Sequence, residues 1–236
     1  MKRLLLISSS KTHGTGFLEH AETAIREHLM GVKKITFIPF ALAKQDAYAR
    51  LAENAFRGFG FELQSLHQTD DPTAMLLDAE AVFTGGGNTF RLLKTLYEKN
   101  VMEVLRQRVI DGMPYMGSSA GTNITCPTIR TTNDMPIVEP PSFQALNLIP
   151  FQINPHYLDA APNSTHQGET RATRLAEYLE ENPTPVLGIR EGCWLRIQGG
   201  QGTVEGSHGA VLFQRHQPQQ EMCSGDCLND LLQTHG

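Results

Sequence analysis

Long apolar runs are missing from this chain. The first apolar run is short and covers only Leu4 to Ile7. A membrane-spanning helix needs about 18 apolar residues, and a secretory signal needs roughly 7–15. The run therefore predicts a first buried β-strand. Positive charge is also scarce, because 20 Lys and Arg stand against 25 Asp and Glu, a net charge of −5. That balance excludes a broad basic surface for nucleic acid.

Cysteines and metal-binding motifs are few. The chain has four cysteines in 236 residues, too few for a disulfide framework, and Cys223-x3-Cys227 lacks the second pair that a zinc site needs. No H-E-x-x-H motif is present. We therefore expect reduced thiols, a cytoplasmic location, and neither a metal nor a cofactor.

The order of strand and helix patterns predicts an α/β fold. Hydrophobic residues make up 40% of the chain and charged residues 19%, as in ordinary globular proteins. Short apolar runs alternate with helical patterns through the first half, which favours a mostly parallel sheet covered on both faces. Residues 126–165 have little periodicity, and a helix over 169–182 and a strand over 185–189 follow. Three last strands, 193–197, 201–204 and 210–214, predict an antiparallel meander. We expect one domain over residues 1–236.

The segment Gly117 to Gly121 matches G-x-S-x-G and lies where a strand should turn sharply into a helix. In that context the central serine, Ser119, is held on a tight turn with its hydroxyl exposed. The backbone N–H of Ala120, at the helix start, would then face a developing oxyanion. Ser118 is a rival nucleophile, but only Ser119 is flanked symmetrically by two glycines. An ordinary glycine-rich connection is the alternative interpretation.

A serine hydroxyl needs a base, and the base needs an orienting carboxylate. His156 follows the apolar run from Leu148 to Ile153 and the stiff Pro155, so a strand end would deliver it to the edge of the sheet. Asp134 lies in the irregular region between nucleophile and base. Glu191, after the strand over 185–189, is the competing acid, and sequence spacing does not choose between them.

A second glycine-rich junction, Gly85-Gly86-Gly87-Asn88, also joins a strand to a helix. Its glycines let backbone approach an anion, and Asn88 can cap the helix. The spacing matches neither a P-loop nor G-x-G-x-x-G, which disfavours a nucleotide site. An oxyanion hole shared with Ala120 makes chemical sense, and a phosphate-binding turn is the alternative.

These motifs, with several others in the same order, resemble the peptidase E family, the α-aspartyl dipeptidases among the serine peptidases. The matching segments cover roughly residues 1–200 and are Ile38 to Phe40, Gly85 to Phe90, Gly117 to Gly121, Cys126 to Ile137, Ile153 to His156, and Gly168 to Arg171. One departure is Ser118, which stands where family members often have an aromatic residue.

The resemblance implies a three-layer α/β/α fold, similar to that of glutamine amidotransferase domains. It also implies hydrolysis of dipeptides that carry an N-terminal aspartate, without a metal. By matching position, the roles that it implies are nucleophile for Ser119, base for His156, orienting acid for Asp134 or Glu191, oxyanion donors for Gly87 and Ala120, receptor of the aspartyl carboxylate for Arg171, and receptor of the α-amino group for Glu169.

Two other classes of function remain open at this stage. One is a related acyl hydrolase, such as a cyanophycinase-like or isoaspartyl peptidase or an amidotransferase-like hydrolase. The other is a non-catalytic protein that binds an anion at the glycine-rich turns. The expected partner is a small acidic dipeptide, with neither nucleic acid nor a membrane. The sequence leaves the oligomeric state open, a homodimer included.

Overall fold

Strands and helices alternate through the first half of the chain. The structure is a computed structural model that describes residues 1–160 and 168–233. The elements of this half are β1 (Arg3–Ile7), α1 (Glu22–His28), β2 (Lys34–Ile38), α2 (Gln45–Gly58), β3 (Glu62–Ser65), α3 (Pro72–Leu77), β4 (Ala81–Thr84), α4 (Thr89–Glu98), α5 (Met102–Ile110) and β5 (Tyr115–Ser118).

Strands are more frequent in the second half. Its elements are α6 (Ala120–Asn123), β6 (Gln152–Tyr157), α7 (Arg171–Glu181), β7 (Val186–Arg190), β8 (Cys193–Gln198), β9 (Gln201–Gly206), β10 (Ala210–Phe213), β11 (Gln220–Met222) and α8 (Asn229–Gln233). Residues 161–165 of the expected irregular region lie outside the described residues.

The larger sheet has seven strands in the order β3-β2-β4-β5-β1-β8-β9. The first five are parallel, while β8 and β9 add an antiparallel edge. Side chains of β1 are fully buried from Leu4 to Ile7, with one hydrophobic cluster on each face of the sheet. Strands buried on both faces read as continuous apolar runs. The predicted α/β fold, a mixed sheet with helices on both sides, is confirmed.

A second sheet has four strands in the order β11-β10-β7-β6. Its β6 and β7 are parallel, and β10 is antiparallel to β7. The expected meander is therefore divided, because β8 and β9 form a hairpin in the larger sheet while β10 joins the smaller one. Gly206 and Gly209, at φ +104° and +68°, allow the chain to leave the hairpin there. Helix α7 packs on this sheet through Leu175 and Leu179.

The structure departs from the sequence-based expectations at α3 and at the end of β6, and it adds β11 and α8 near the C-terminus. Helix α3 is a short helix whose first turn is capped by Asp71, which accepts the N–H of Ala74 (2.9 Å), with Pro72 at its first position. Strand β6 continues through residue 157, so His156 lies within a strand rather than after one. In the described part of the chain, no helix has the length and hydrophobicity that crossing a membrane requires.

Candidate active site

Ser119 lies on a strained turn between β5 and α6. Its backbone has φ 54° and ψ −111°, a conformation that a non-glycine residue adopts at a cost of about 1–3 kcal/mol. The flanking glycines are required, because a Cβ on Gly117 would collide with the carbonyl of Gly121, and one on Gly121 with the carbonyl of Thr84. The Ser119 N–H donates to the Ile7 carbonyl (3.0 Å). The turn thus holds the hydroxyl at the carboxyl ends of β1 and β5.

A chain of hydrogen bonds links Ser119, His156 and Glu191. The His156 Nε2 lies 2.9 Å from the Ser119 Oγ, and its Nδ1 lies 2.7 Å from the Glu191 Oε1. With Nδ1 protonated, the imidazole donates to the Glu191 carboxylate and accepts from the serine hydroxyl. This is the arrangement of nucleophile, base and orienting acid that activates a serine.

The imidazole is positioned by the backbone of β6. His156 has φ 54°, at a register shift between Pro155 and Tyr157, and such a β-bulge re-aims a side chain. The His156 N–H donates to the Ser8 Oγ (2.9 Å), and the Ser8 hydroxyl donates to the Ile189 carbonyl (2.8 Å). Ser8 is fully buried, so its hydroxyl fixes the bulge against both β1 and β7.

Asp134 does not contact His156, which corrects the first choice of orienting acid. Its Oδ2 accepts the Thr89 N–H (2.7 Å), the Thr89 hydroxyl (2.6 Å) and the Thr132 hydroxyl (3.1 Å). The start of α4 offers unpaired N–H groups and a positive dipole end, and both attract a carboxylate. The structure places the competing acid, Glu191, against the imidazole instead.

Two backbone N–H groups remain available beside the nucleophile. Gly86 donates its N–H to the Tyr48 hydroxyl (2.8 Å), while within residues 1–160 and 168–233 no acceptor pairs with the N–H of Gly87 or of Ala120. A Cβ on Gly86 would lie 3.0 Å from that of Ser119, so the glycine-rich turn is close to the elbow. The two expected oxyanion donors therefore come from turns that meet at Ser119.

Ser118 is buried and its hydroxyl is not hydrogen-bonded to His156. Its side chain is fully buried, and in the described residues its hydroxyl has no hydrogen-bond partner. The imidazole of His156 contacts Ser119 instead. The structure thus brings together Ser119 and the base, and not the rival serine.

Arg171 is the first residue of α7 and is only partly exposed. Burial and the neighbouring Arg174 lower the pKa of its guanidinium, whereas the charge of Asp134 raises it. Asp134 is therefore within electrostatic reach of Arg171. Glu169 is exposed and pairs with Arg174 (3.5 Å between Oε2 and Nε) rather than with Arg171. Neither Arg171 nor Glu169 contacts the Ser119–His156 pair.

Two residues that position the site were missed by sequence reasoning. Ser8 directly follows β1, and Tyr48 lies on α2 with its hydroxyl against the Gly86 N–H. Ser8 was open to prediction, because ligands bind at the carboxyl ends of parallel strands. Tyr48 was not open to prediction in the same way, because it lies at helical spacing with the other buried residues of α2 and therefore resembles an ordinary core residue. In the described part of the chain, no three His, Cys, Asp or Glu side chains are grouped to hold a metal.

Comparison with known proteins gives consistent matches over nearly the whole chain. A sequence model of Peptidase family S51 matches residues 4–204. "Peptidase E" of Streptomyces coelicolor is 51% identical over 233 residues, covering 99% of this chain and 96% of that protein. A "Probable alpha-aspartyl dipeptidase" of Drosophila melanogaster is 45% identical, covering 98% of each.

Two solved structures share the fold. A putative peptidase E protein from Listeria monocytogenes superposes with a TM-score of 0.67 at 25% identity, covering 88% of this chain and 99% of that one. A peptidase from an acI-B1 actinobacterium gives a TM-score of 0.70, covering 96% of each chain. Because the latter is only 17% identical, it supports the fold alone.

Proposed function

The chain belongs to peptidase family S51, and from that premise we propose that it is a serine dipeptidase that releases the N-terminal aspartate of Asp-X dipeptides. The observation that carries this proposal is the hydrogen-bonded series of Ser119, His156 and Glu191. The names of the relatives supply the aspartyl specificity, since one of them is a probable α-aspartyl dipeptidase.

The reaction follows from the positions of these groups. The Ser119 Oγ attacks the peptide carbonyl carbon while the His156 Nε2 takes the hydroxyl proton. The N–H groups of Gly87 and Ala120 bind the oxyanion, each worth about 2.7–4 kcal/mol in comparable sites. His156 then gives its proton to the leaving amine, and the C–N bond breaks to leave an ester on Ser119. Water, deprotonated by His156, hydrolyses that ester and releases aspartate.

Arg171 is our candidate for binding the aspartyl side chain. A guanidinium presents a planar fork that matches a carboxylate with two hydrogen bonds, and within the described residues Glu169 pairs with Arg174 and no ion pair includes Arg171. The charge of Asp134 reaches Arg171 and favours the charged form of its guanidinium. Glu169 is our candidate for binding the substrate's α-amino group, because its carboxylate is exposed next to the same helix start.

The decisive test compares Asp-Leu with Asn-Leu as substrates of the wild type and of Arg171→Ala. Removing one partner of a desolvated charge pair costs roughly 2–5 kcal/mol, so kcat/KM for Asp-Leu should fall at least thirtyfold, whereas that for Asn-Leu should barely change. Arg106→Ala, a solvent-accessible arginine of α5, is the control. Equal losses on both substrates would remove Arg171 from aspartyl recognition.

The covalent step is tested at Ser119. A fluorophosphonate probe should label the wild type at Ser119 and leave Ser119→Ala unlabelled and inactive, although folded. A protein that is never labelled would favour the non-catalytic anion-binding alternative. Faster hydrolysis of isoaspartyl peptides than of Asp-Leu would favour a related acyl hydrolase.

We also propose a cytoplasmic location. All four cysteines are free thiols, and Cys126 and Cys193 are buried, which agrees with a reducing compartment. Fractionation of the source cells, followed by detection of the protein in each fraction, tests this directly.

A further inference from the structure

An open cleft of about 360 Å³ lies beside the nucleophile. Its volume is within the roughly 300–1,000 Å³ of small-ligand sites. Ser119 and His156 are among its lining residues, and so is Lys11, from the loop after β1. Its apolar wall consists of Phe17, Leu42, Tyr48 and Leu51.

We propose that this cleft is the subsite for the leaving residue of the dipeptide, and that it selects an apolar residue with a free carboxylate. In this arrangement the side chain of residue X packs on the apolar wall, and the Lys11 ammonium pairs with the C-terminal carboxylate. The proposal rests on the proposed dipeptidase function and adds which Asp-X dipeptides are preferred.

The position of His156 determines which half of the substrate occupies the cleft. The imidazole must hand its proton to the leaving amine, so the nitrogen of residue X lies within hydrogen-bond distance of the Nε2. His156 is part of the cleft wall, whereas the described lining includes neither Arg171 nor Asp134. The leaving residue therefore points into the cleft, and the aspartyl carboxylate points elsewhere.

The chemistry of the walls indicates what kind of residue X fits. Leu42 and Leu51 keep 37% and 43% of their surface exposed, and both face a site that is otherwise open to water. An apolar side chain covering them would gain the free energy of removing apolar surface from water. No acidic side chain lines the cleft in the described residues, so a basic residue X finds no counter-charge there.

Lys11 has the features expected of a carboxylate receptor. Its side chain is exposed, and no ion pair involves it in the described part of the chain. A dipeptide places its C-terminal carboxylate a few bonds beyond the leaving nitrogen, and Lys11 is the cation among the residues that line this cleft in the described part of the chain. Because the pair would be solvated, its contribution is modest, about two- to fivefold in KM.

The test measures kcat/KM for Asp-Leu, Asp-Phe, Asp-Gly, Asp-Lys and the amide Asp-Leu-NH2. For the wild type we expect Asp-Leu and Asp-Phe to exceed Asp-Gly about five- to tenfold, with Asp-Lys no better than Asp-Gly. Leu51→Gln should lower kcat/KM for Asp-Leu more than that for Asp-Gly and so reduce the advantage of Asp-Leu. The matched control is Leu77→Gln, since Leu77 is a similarly exposed leucine (54%) remote from the cleft at the end of α3.

A second variant tests the carboxylate. Lys11→Gln should lower kcat/KM for Asp-Leu about two- to fivefold and leave the amide unaffected. If Leu51→Gln lowers Asp-Leu and Asp-Gly equally, or if Asp-Gly is the better wild-type substrate, the proposal is wrong.

Two further outcomes separate this proposal from the proposed function. If Lys11→Gln removes the discrimination between Asp-Leu and Asn-Leu, the cleft binds the aspartyl side chain and the proposal is overturned, while the dipeptidase function stands. If the wild type hydrolyses no Asp-X dipeptide at all, the proposed function itself fails.

Discussion

Replacing Glu191 with glutamine tests the orienting acid most directly, because glutamine keeps the shape of the side chain and removes only its charge. The Glu191 Oε1 accepts from the His156 Nδ1 at 2.7 Å. A glutamine carbonyl can still accept that hydrogen bond, so the tautomer of the ring is preserved. What is lost is the attraction between a carboxylate and the imidazolium that forms when Ser119 gives up its proton.

The size of that loss follows from the exposure of the pair. Two unit charges 4 Å apart attract by about 1 kcal/mol in water and about 4 kcal/mol at an effective dielectric constant near 20. Glu191 keeps 57% of its side chain exposed to solvent and His156 keeps 38%. Because solvent screens the two charges, their attraction lies in the lower half of the range between about 1 and 4 kcal/mol. A loss of about 1–2 kcal/mol corresponds to a five- to thirtyfold decrease in kcat.

Steady-state kinetics on Asp-Leu, with Asp134→Asn as the comparison, distinguishes the two acids. Glu191→Gln should lower kcat and leave KM nearly unchanged, because the charge acts in the transition state. Asp134→Asn should raise KM through Arg171 and lower the thermal midpoint, since α4 loses about 0.3–1 kcal/mol of helix-dipole stabilisation. If Asp134→Asn lowers kcat more than Glu191→Gln does, the assignment of Glu191 is refuted.

Three further predictions concern buried groups. Ser8→Ala should lower kcat and reduce the free energy of unfolding by about 1–3 kcal/mol, because the His156 N–H loses its buried acceptor. The control is Ser9→Ala, which removes a buried hydroxyl that has no partner in the described residues. Kinetics and thermal denaturation of both variants provide the measurement. Burial lowers the pKa of His28 to about 3, so below pH of about 6.5 the unfolded chain binds a proton that the folded chain rejects. The free energy of unfolding should therefore fall as the pH decreases from about 6.5 to 3, and His28→Gln should flatten that dependence in urea titrations. Burial also raises the pKa of the Cys126 thiol to about 12, so iodoacetamide should modify the exposed Cys223 and spare Cys126 until the protein unfolds; early labelling of Cys126, detected by mass spectrometry, would contradict the buried position.

The turn that carries Ser119 was predictable because its geometry is local. The segment from Gly117 to Gly121 contains the whole turn, and each glycine is required by contacts with neighbouring backbone. Sequence patterns report such short-range constraints well, since strand, turn and helix follow one another within a few residues. The same holds for the five parallel strands, whose burial on both faces is visible as continuous apolar runs.

Which acid lies against His156 was not predictable, because that contact depends on how two sheets meet. Asp134 and Glu191 both lie near chain segments that were expected to reach the site. The contact of Glu191 with His156 arises from the parallel pairing of β6 and β7, in which the Pro155–Ile189 register brings the residues that follow side by side. Asp134 instead accepts a hydrogen bond from the N–H of Thr89 at the start of α4, 45 residues away in the chain. Spacing along the chain does not indicate which of these two acids contacts His156.

The carboxyl end of β1 sets the distance between Ser119 and His156. Ser119 follows a strand of the larger sheet and His156 lies in the smaller one, so no single sheet fixes their separation. The carbonyl of Ile7 accepts the Ser119 N–H, and the next residue, Ser8, accepts the His156 N–H on its hydroxyl. Both Ser119 and His156 have positive φ, so neither conformation is stable without these bonds. A shift of β1 would therefore displace both side chains, which explains why the Ser119–His156 contact depends on a segment that takes no part in the chemistry.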